Sequence, residues 1–347
     1  MKKLTILLLF SVFFISCKPT QVCFTSVKID TLLIDKISIR PITVSADNVW
    51  YAADKNRVGS IHLKDSQKFE SSTTKDSLKL EFRSIAQTTN SIFVVNVGNP
   101  ALIYKFSKDL LIKKLVYEEH NPKVFYDSMQ FWNDQEGIVV GDPIENCLSI
   151  LITRDGGTTW TKVSCNNLPQ VEEGEAAFAA SNTNIVIKGT ATWIVSGGKK
   201  SRVFISPDKG ITWKVYTTPI IQGETMTGIF TADFYNEKIG FIAGGNYEKP
   251  QQNFGNKALT NDGGKTWKLV AENQGFGYAS CIQFVPNSNG KQLVSVGASG
   301  LYYSKNSGAS WQQLSTDTSL YTLRFIDNTT AIAAGKDKIV KLVFSAR

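Results

Sequence analysis

Histidine is almost missing from this 347-residue chain: there are two, His62 and His120. They lie far apart and without ligand spacing, which argues against a histidine zinc site and a histidine-centred triad. No Cys-x-x-Cys occurs, and no Gly-x-Gly-x-x-Gly follows a strand-like run and opens a helix. A redox dithiol motif and a dinucleotide fingerprint are therefore both absent, as is any haem or flavin motif, and no cofactor or metal is expected. The longest apolar run, residues 4–15, is too short for a spanning helix. The formal charge of +8 comes without a Lys/Arg cluster interleaved with aromatics, so nucleic acid is not an expected partner. Helical periodicity is missing too. What remains is 42% hydrophobic and 20% charged, the composition of a globular chain.

The start reads as an export signal: Lys2 and Lys3, then the apolar run, then Cys17 after Phe14-Ile15-Ser16. This resembles a bacterial lipobox, with Ser16 as its small residue and Phe14 where Leu is usual. The reading gives a signal peptide over 1–16, a lipidated Cys17, an anchor and linker over 17–23, and one domain over 24–347. The other reading is an ordinary signal peptide with a chance Cys. Lys18-Pro19 lacks the Asp of inner-membrane retention, so an outer-membrane lipoprotein facing the periplasm is expected. Export permits disulfides. Cys147 and Cys165 flank the turn at Gly156-Gly157 symmetrically, and form either a cross-strand disulfide or two buried thiols.

Internal repeats dominate the rest. Ser/Thr-x-Asp-x-Gly-x-Thr-Trp occurs at 153–160 (TRDGGTTW), 206–213 (SPDKGITW) and 260–267 (TNDGGKTW), with a degenerate copy at 304–311 (SKNSGASW). Around it runs a longer pattern, a β-rich run ending in Gly: IVVGD (Gly141), IVSGG (Gly197), FIAGG (Gly244), LVSVG (Gly297) and AIAAG (Gly335). FVVNVG and VWYAAD are divergent copies. The terminal Gly is expected to supply a positive φ in a tight turn. Seven units follow, near 40–80, 82–118, 124–166, 175–218, 227–272, 277–318 and 320–346. Short strands in even units predict an all-β fold, a seven-bladed β-propeller. The last unit is short, and residues 24–35 alternate like a strand before the first. They are expected to supply the outer strand of the last blade and close the ring.

The octapeptide is expected to fold a hairpin. Asp155, Asp208, Asp262 and the substituted Asn306 bind local backbone groups, while Trp160, Trp213, Trp267 and Trp311 cover the apolar base. Nothing pairs with the aspartates at fixed spacing, which disfavours catalytic or Ca²⁺-binding roles.

These hairpins resemble the Asp-box, or BNR, repeats of sialidases. Over residues 36–346 the chain is more similar to the photosystem II stability/assembly factor-like propellers, a group that includes bacterial lipoproteins labelled "oxidoreductase". The residues that carry this resemblance are SIRPITVSADNVWYAA, DSMQFWNDQEGIVVGDPI, GEAAFAASNTN, WIVSGG and PIIQG. The resemblance implies a propeller, export, and a scaffold that binds a partner protein; it implies no oxidoreductase chemistry. The alternative is a glycan-binding or sialidase-like hydrolase. Sialidases clamp a carboxylate with three arginines, and Arg40-Pro41 only loosely matches their Arg-Ile-Pro.

Arg40, Arg83 and Arg324 read as the starts of the innermost strands of units one, two and seven. Neighbours in a closed ring, they make either one basic patch for an acidic partner group or separate ion pairs within blades. Asp127, Asp142 and Glu175 are further candidates because they lie in the resembling segments. The small residues beside Glu175 and Asn182 allow either close approach of a ligand or tight packing about the channel. Phe125, Tyr126 and Trp132 read as packing, and the polar loop 246–256 as an exposed contact site. The expectation is a monomeric, non-catalytic binding propeller whose partner is another envelope protein or an acidic ligand.

Overall fold

The computed structural model describes residues 23–346; the export segment and Cys17 lie outside the described residues. Six antiparallel blades follow one another along the chain, with the short strands Glu175–Ala176 and Gly197–Gly198 added to the inner edge of blade five. Blade one comprises Ile42–Val44, Asn48–Ala52, Arg57–His62 and Lys68–Ser72, and blade two comprises Phe82–Gln87, Ser91–Asn96, Ala101–Ser107 and Lys113–Glu119. Blades three to six have innermost strands Tyr126–Phe131, Ile185–Lys188, Thr227–Phe234 and Ala279–Phe284. Blade seven combines Leu320–Phe325, Thr330–Ser345 and the N-terminal Ser26–Ser38. The long strand doubles back at Asp337, whose φ is +63°, so that the Phe344 amide donates to the Thr329 carbonyl at 2.8 Å. Ser26–Ser38 then pairs antiparallel with the returning half, Ser26 against Ser345 and Asp30 against Lys341. The chain's first and last strands thus share one blade and close the seven-bladed ring.

The second strand of each blade faces a neighbouring blade on both sides. That is why Ser91–Asn96 (SIFVVN) is buried throughout instead of alternating, whereas the outer Lys68–Ser72 (KFESS) is mostly exposed. Among the described residues the core accordingly has one apolar cluster at each of the seven blade interfaces, and an eighth, small one around Ala180, Phe230 and Tyr278. Phe93, Val95, Leu151 and Trp160, for example, lock blade two to blade three.

Two local rules aim side chains at the channel. The glycine closing the second strand is not in the left-handed region at Gly141, Gly244, Gly297 or Gly335, contrary to the turn role expected for it. Its requirement is space: a Cβ at Gly335 would lie inside the Ser319 carbonyl oxygen, and one at Gly141 inside that of Phe125. The second rule is a β-bulge near the start of the innermost strand. It recurs between Phe82 and Ser84, Tyr126 and Ser128, Ile229 and Thr231, Ala279 and Cys281, and Leu320 and Thr322. Bulges re-aim side chains. Here the bulged residues are Arg83, Asp127, Phe230, Ser280 and Tyr321. Arg40 holds the matching position in blade one, because Ile42 pairs with Tyr51 and the Ala52 amide donates to the Pro41 carbonyl.

Candidate functional site

The innermost strands begin at one mouth of the channel, the upper, and end at the lower. Residues 178–184 lie across the channel between them. Asn182, at φ +59° and 3% exposed, anchors this segment. Its Oδ1 accepts from Ser84 Oγ at 2.9 Å, Ser128 Oγ at 3.2 Å and the Met129 amide at 2.9 Å, and its Nδ2 donates to the Ile85 carbonyl at 2.7 Å. Ser181 Oγ donates to the Ser280 carbonyl, Thr183 Oγ1 bonds Thr231 Oγ1 at 2.8 Å, and Thr322 Oγ1 donates to the Ser181 carbonyl. Arg40 donates to the Ala180 carbonyl at 3.4 Å. One short segment therefore touches the innermost strands of blades one, two, three, five, six and seven and plugs the channel. Of the two uses open to its small residues, the structure takes packing, and Asn182 is spent on it.

The three arginines do not converge. Arg324 lies three residues beyond the bulge position that Arg40 and Arg83 occupy, about 10 Å along a strand. Its Nη2 donates to the Ser181 and Asn182 carbonyls at 3.1 and 3.2 Å, beneath the plug. There it lines a lower cavity of about 410 Å³ with Thr43, Lys188, Asp233 and Gln283. The expected patch reduces to Arg40 and Arg83 at the upper mouth. Arg40 stacks its guanidinium 4.6 Å from the Tyr321 ring centroid, and its buried Nε has no hydrogen-bond partner. Arg83 donates to Glu81 Oε1 at 2.7 Å.

Aromatic rings adjoin them. Phe178 stacks on Phe230 at 4.0 Å, Tyr278 meets Phe230 edge-on at 4.8 Å, and Tyr247 from the loop 246–256 meets Tyr278 at 5.2 Å. Tyr247 is 47% exposed. Burial, and then the charge of Arg40 acting in the opposite sense, are the main influences on the Tyr278 hydroxyl, which ends well above the usual tyrosine range.

Beside the mouth an upper cleft of about 670 Å³ opens between blades two to five. Asp127, the bulged residue of blade three, forms part of its floor; the residue is 0% exposed, and neither carboxylate oxygen makes a well-formed hydrogen bond, the Ala179 amide acting on it only weakly. Burial and the Asp142 charge push it well above the carboxylate range, against the pull of Arg83. Asp142 accepts from the Ala177 amide at 2.9 Å. Burial raises it to about 7 despite that bond. Glu175 also lines the cleft, but its carboxylate accepts from Arg202 Nε at 2.9 Å, Ser196 Oγ at 2.5 Å and the Glu172 amide at 2.9 Å, so it is spent structurally. Cys147 and Cys165 are joined in a disulfide, which pins one wall where the Val171 amide donates to the Asn146 carbonyl at 2.8 Å.

The four octapeptide turns occupy the lower face and satisfy themselves. Asp155 Oδ1 accepts from the Thr158 and Thr159 amides at 3.0 and 2.9 Å, and Oδ2 from Thr159 Oγ1 at 2.7 Å. Asp208 and Asp262 repeat this set. Asn306 reproduces it in part, accepting from the Ser310 amide and donating to Ser310 Oγ, both at 3.0 Å. Trp213, Trp267 and Trp311 each donate Nε1 to the glycine carbonyl three residues before them, while buried Trp160 Nε1 has no partner. The Thr159 bonds hold Asp155 near 2; at Asp262, burial raises the carboxyl but the Thr266 bonds outweigh it, also leaving about 2. Among the described residues, no group of three or more His, Cys, Asp or Glu is placed to hold a metal ion.

Sequence reading missed Phe230, Tyr278 and Tyr321. The bulge that brings Phe230 and Tyr321 to the mouth leaves no mark in the sequence, and Tyr278 sits just before the innermost strand of blade six. Aligning the seven innermost strands on the residue opposite the closing glycine would have put Tyr321, not Arg324, beside Arg40.

No protein-family model matches the chain, and no curated protein matches it. Solved structures do. One described as YCF48 bound to D1 peptide superposes with a TM-score of 0.65 at 13% identity, covering 94% of this chain and 99% of the other. YCF48 from Cyanidioschyzon merolae gives 0.63 at 12% identity, covering 92% and 99%. The WD40 repeats of RRP9 give 0.63 at 10% identity, covering 93% and 99%. At these identities the likeness is one of fold, a β-propeller over nearly the whole chain.

Proposed function

We propose that this protein is a non-catalytic binding propeller, an assembly-factor-like scaffold that docks a partner protein on its upper face. The observation that carries the reading is the division of labour between the two faces. On the lower face the octapeptide aspartates are spent within their own turns, and the plug spends its polar groups on the ring. The upper mouth keeps Arg40 with an unpaired Nε, an exposed Tyr247 and an open cleft. Rigid aromatics and arginine are the groups that dominate protein interfaces. The similarly folded YCF48, in the structure with D1 peptide, supports a peptide or protein as the ligand class. A sialidase-like clamp receives no comparable support, since the three arginines singled out do not meet and Glu175 is already paired.

The test is capture from envelope extract. An Arg40→Glu/Arg83→Glu double variant that retains the wild-type unfolding midpoint is expected to lose a partner that wild type holds. Retention of that partner would overturn the reading. The same proposal places the propeller in the envelope as an outer-membrane lipoprotein anchored through Cys17. Labelled palmitate is expected to enter the wild-type chain and not Cys17→Ser; equal labelling of both would remove the anchor.

A further inference from the structure

The upper cleft carries charge opposite to that of the molecule. The chain is formally +8, yet Asp127 and Asp142 line the cleft's floor, and Glu145, Glu172 and Glu173 form an exposed rim. Arg83 and Lys123 are the cations among the lining residues, and Glu175 is already offset by Arg202. A fully buried carboxyl with no well-formed hydrogen bond on either oxygen, set beside a second carboxyl, destabilises the fold that holds it. Groups kept at such a cost mark ligand sites. The walls are apolar, contributed by Phe125, Ile144, Phe178 and Met226. The volume lies in the range of small-ligand pockets.

We propose that this cleft receives a lysine side chain of the partner protein, its ammonium on Asp127 and Asp142 and its methylene stem along Phe125, Ile144 and Met226. The inference rests on the upper face being the docking face, and adds to it a contact of opposite sign to that of Arg40. An ammonium brings three rotatable donors and no acceptor, which suits a pair of carboxyls with unused acceptor capacity. Acidic ligands, by contrast, meet the rim glutamates. Bound cation replaces bound proton: the pair holds a proton near neutral pH, and docking an ammonium beside it releases that proton. Affinity therefore rises with pH through about 7, the value of Asp142, and continues to rise beyond it while Asp127 still holds its proton. Arg83 and Lys123 act against the cation, and the three rim glutamates act for it.

The probe is Nα-acetyl-lysine methylamide added to the mature protein, with the norleucine counterpart as its uncharged isostere, followed through the Ala177 and Ala179 amide resonances. Saturable shifts are expected with lysine and none with norleucine, the affinity climbing about tenfold per pH unit below pH 7. Asp127→Asn and Asp142→Asn are each expected to weaken binding about tenfold or more, as loss of one partner of a desolvated charge pair does. An equal response to norleucine, a pH-independent affinity, or undiminished binding in both variants would overturn the proposal. A protein that captures its partner but ignores the probe overturns the cleft assignment alone; one that binds the probe but captures no partner overturns the docking face alone.

Discussion

Asn182→Ala is expected to destabilise the fold by about 4 kcal/mol or more, a large share of the roughly 5–15 kcal/mol that holds a typical domain together. The substitution removes four hydrogen bonds at once and strands Ser84 Oγ, Ser128 Oγ, the Met129 amide and the Ile85 carbonyl in a buried channel. Each orphaned buried group costs about 1–3 kcal/mol. Alanine also tolerates φ +59° worse than asparagine, adding roughly 1 kcal/mol. Asn182→Gly separates the two causes, since glycine accepts the backbone angle but restores no bond; it should recover only about 1 kcal/mol. Urea unfolding measures both. A loss below about 1 kcal/mol in Asn182→Ala would mean that blades two and three do not depend on the plug.

Asp127→Asn is expected to do the reverse and stabilise the protein, in a pH-dependent way. Both floor carboxyls have folded pKa values raised above the unfolded value of about 3.9, so the folded state holds protons that the unfolded chain releases. That contribution is fully present below about pH 4 and is lost as pH rises through about 7, the Asp142 value, and beyond it for Asp127. Wild type should therefore weaken between pH 4 and pH 8. The asparagine variant should hold steadier, gaining clearly over wild type at pH 8 and almost nothing at pH 4. In a chain of this size each kcal/mol gained raises Tm by roughly 1–2 °C, so the Tm difference between the two proteins should open as pH rises. The octapeptide aspartates act in a separate window. Asp155 and Asp262 are lowered to about 2, so their contribution is present above about pH 4 and fades as pH falls through 2. Parallel pH profiles for the two proteins would deny the floor carboxyls their burial cost.

The architecture was legible because its signals are periodic. The octapeptides mark the outer hairpins, and the continuous apolar second strands mark blades pressed from both sides. The short last unit, set against the alternating residues near the N-terminus, gave the ring closure. The errors share one cause, which is that close contact between distant backbones has no local signature. The closing glycines were assigned to turns, yet Gly335 and its counterparts are required by an innermost strand passing overhead. Arg324 follows an apolar residue, as Arg40 and Arg83 do, but it lies three residues beyond their position once the strands are aligned by their pairing. Glu175 drew notice for its small neighbours, but Arg202, which neutralises it, lies 27 residues further on. Asn182 was legible as unusual, not as the plug's anchor, because its four bonding partners come from two other blades.

The measurement that bears most directly on a binding role for the upper face is partner capture by a matched set of folded variants. Mature wild type, Arg40→Glu/Arg83→Glu at the upper mouth, and Asp208→Ala in a lower-face turn would each be cross-linked in envelope extract and the captured chains identified. Upper-face docking requires a partner held by wild type and the lower-face variant and lost from the double arginine variant. A partner held by the arginine variant and lost from Asp208→Ala would place docking on the opposite face and contradict it.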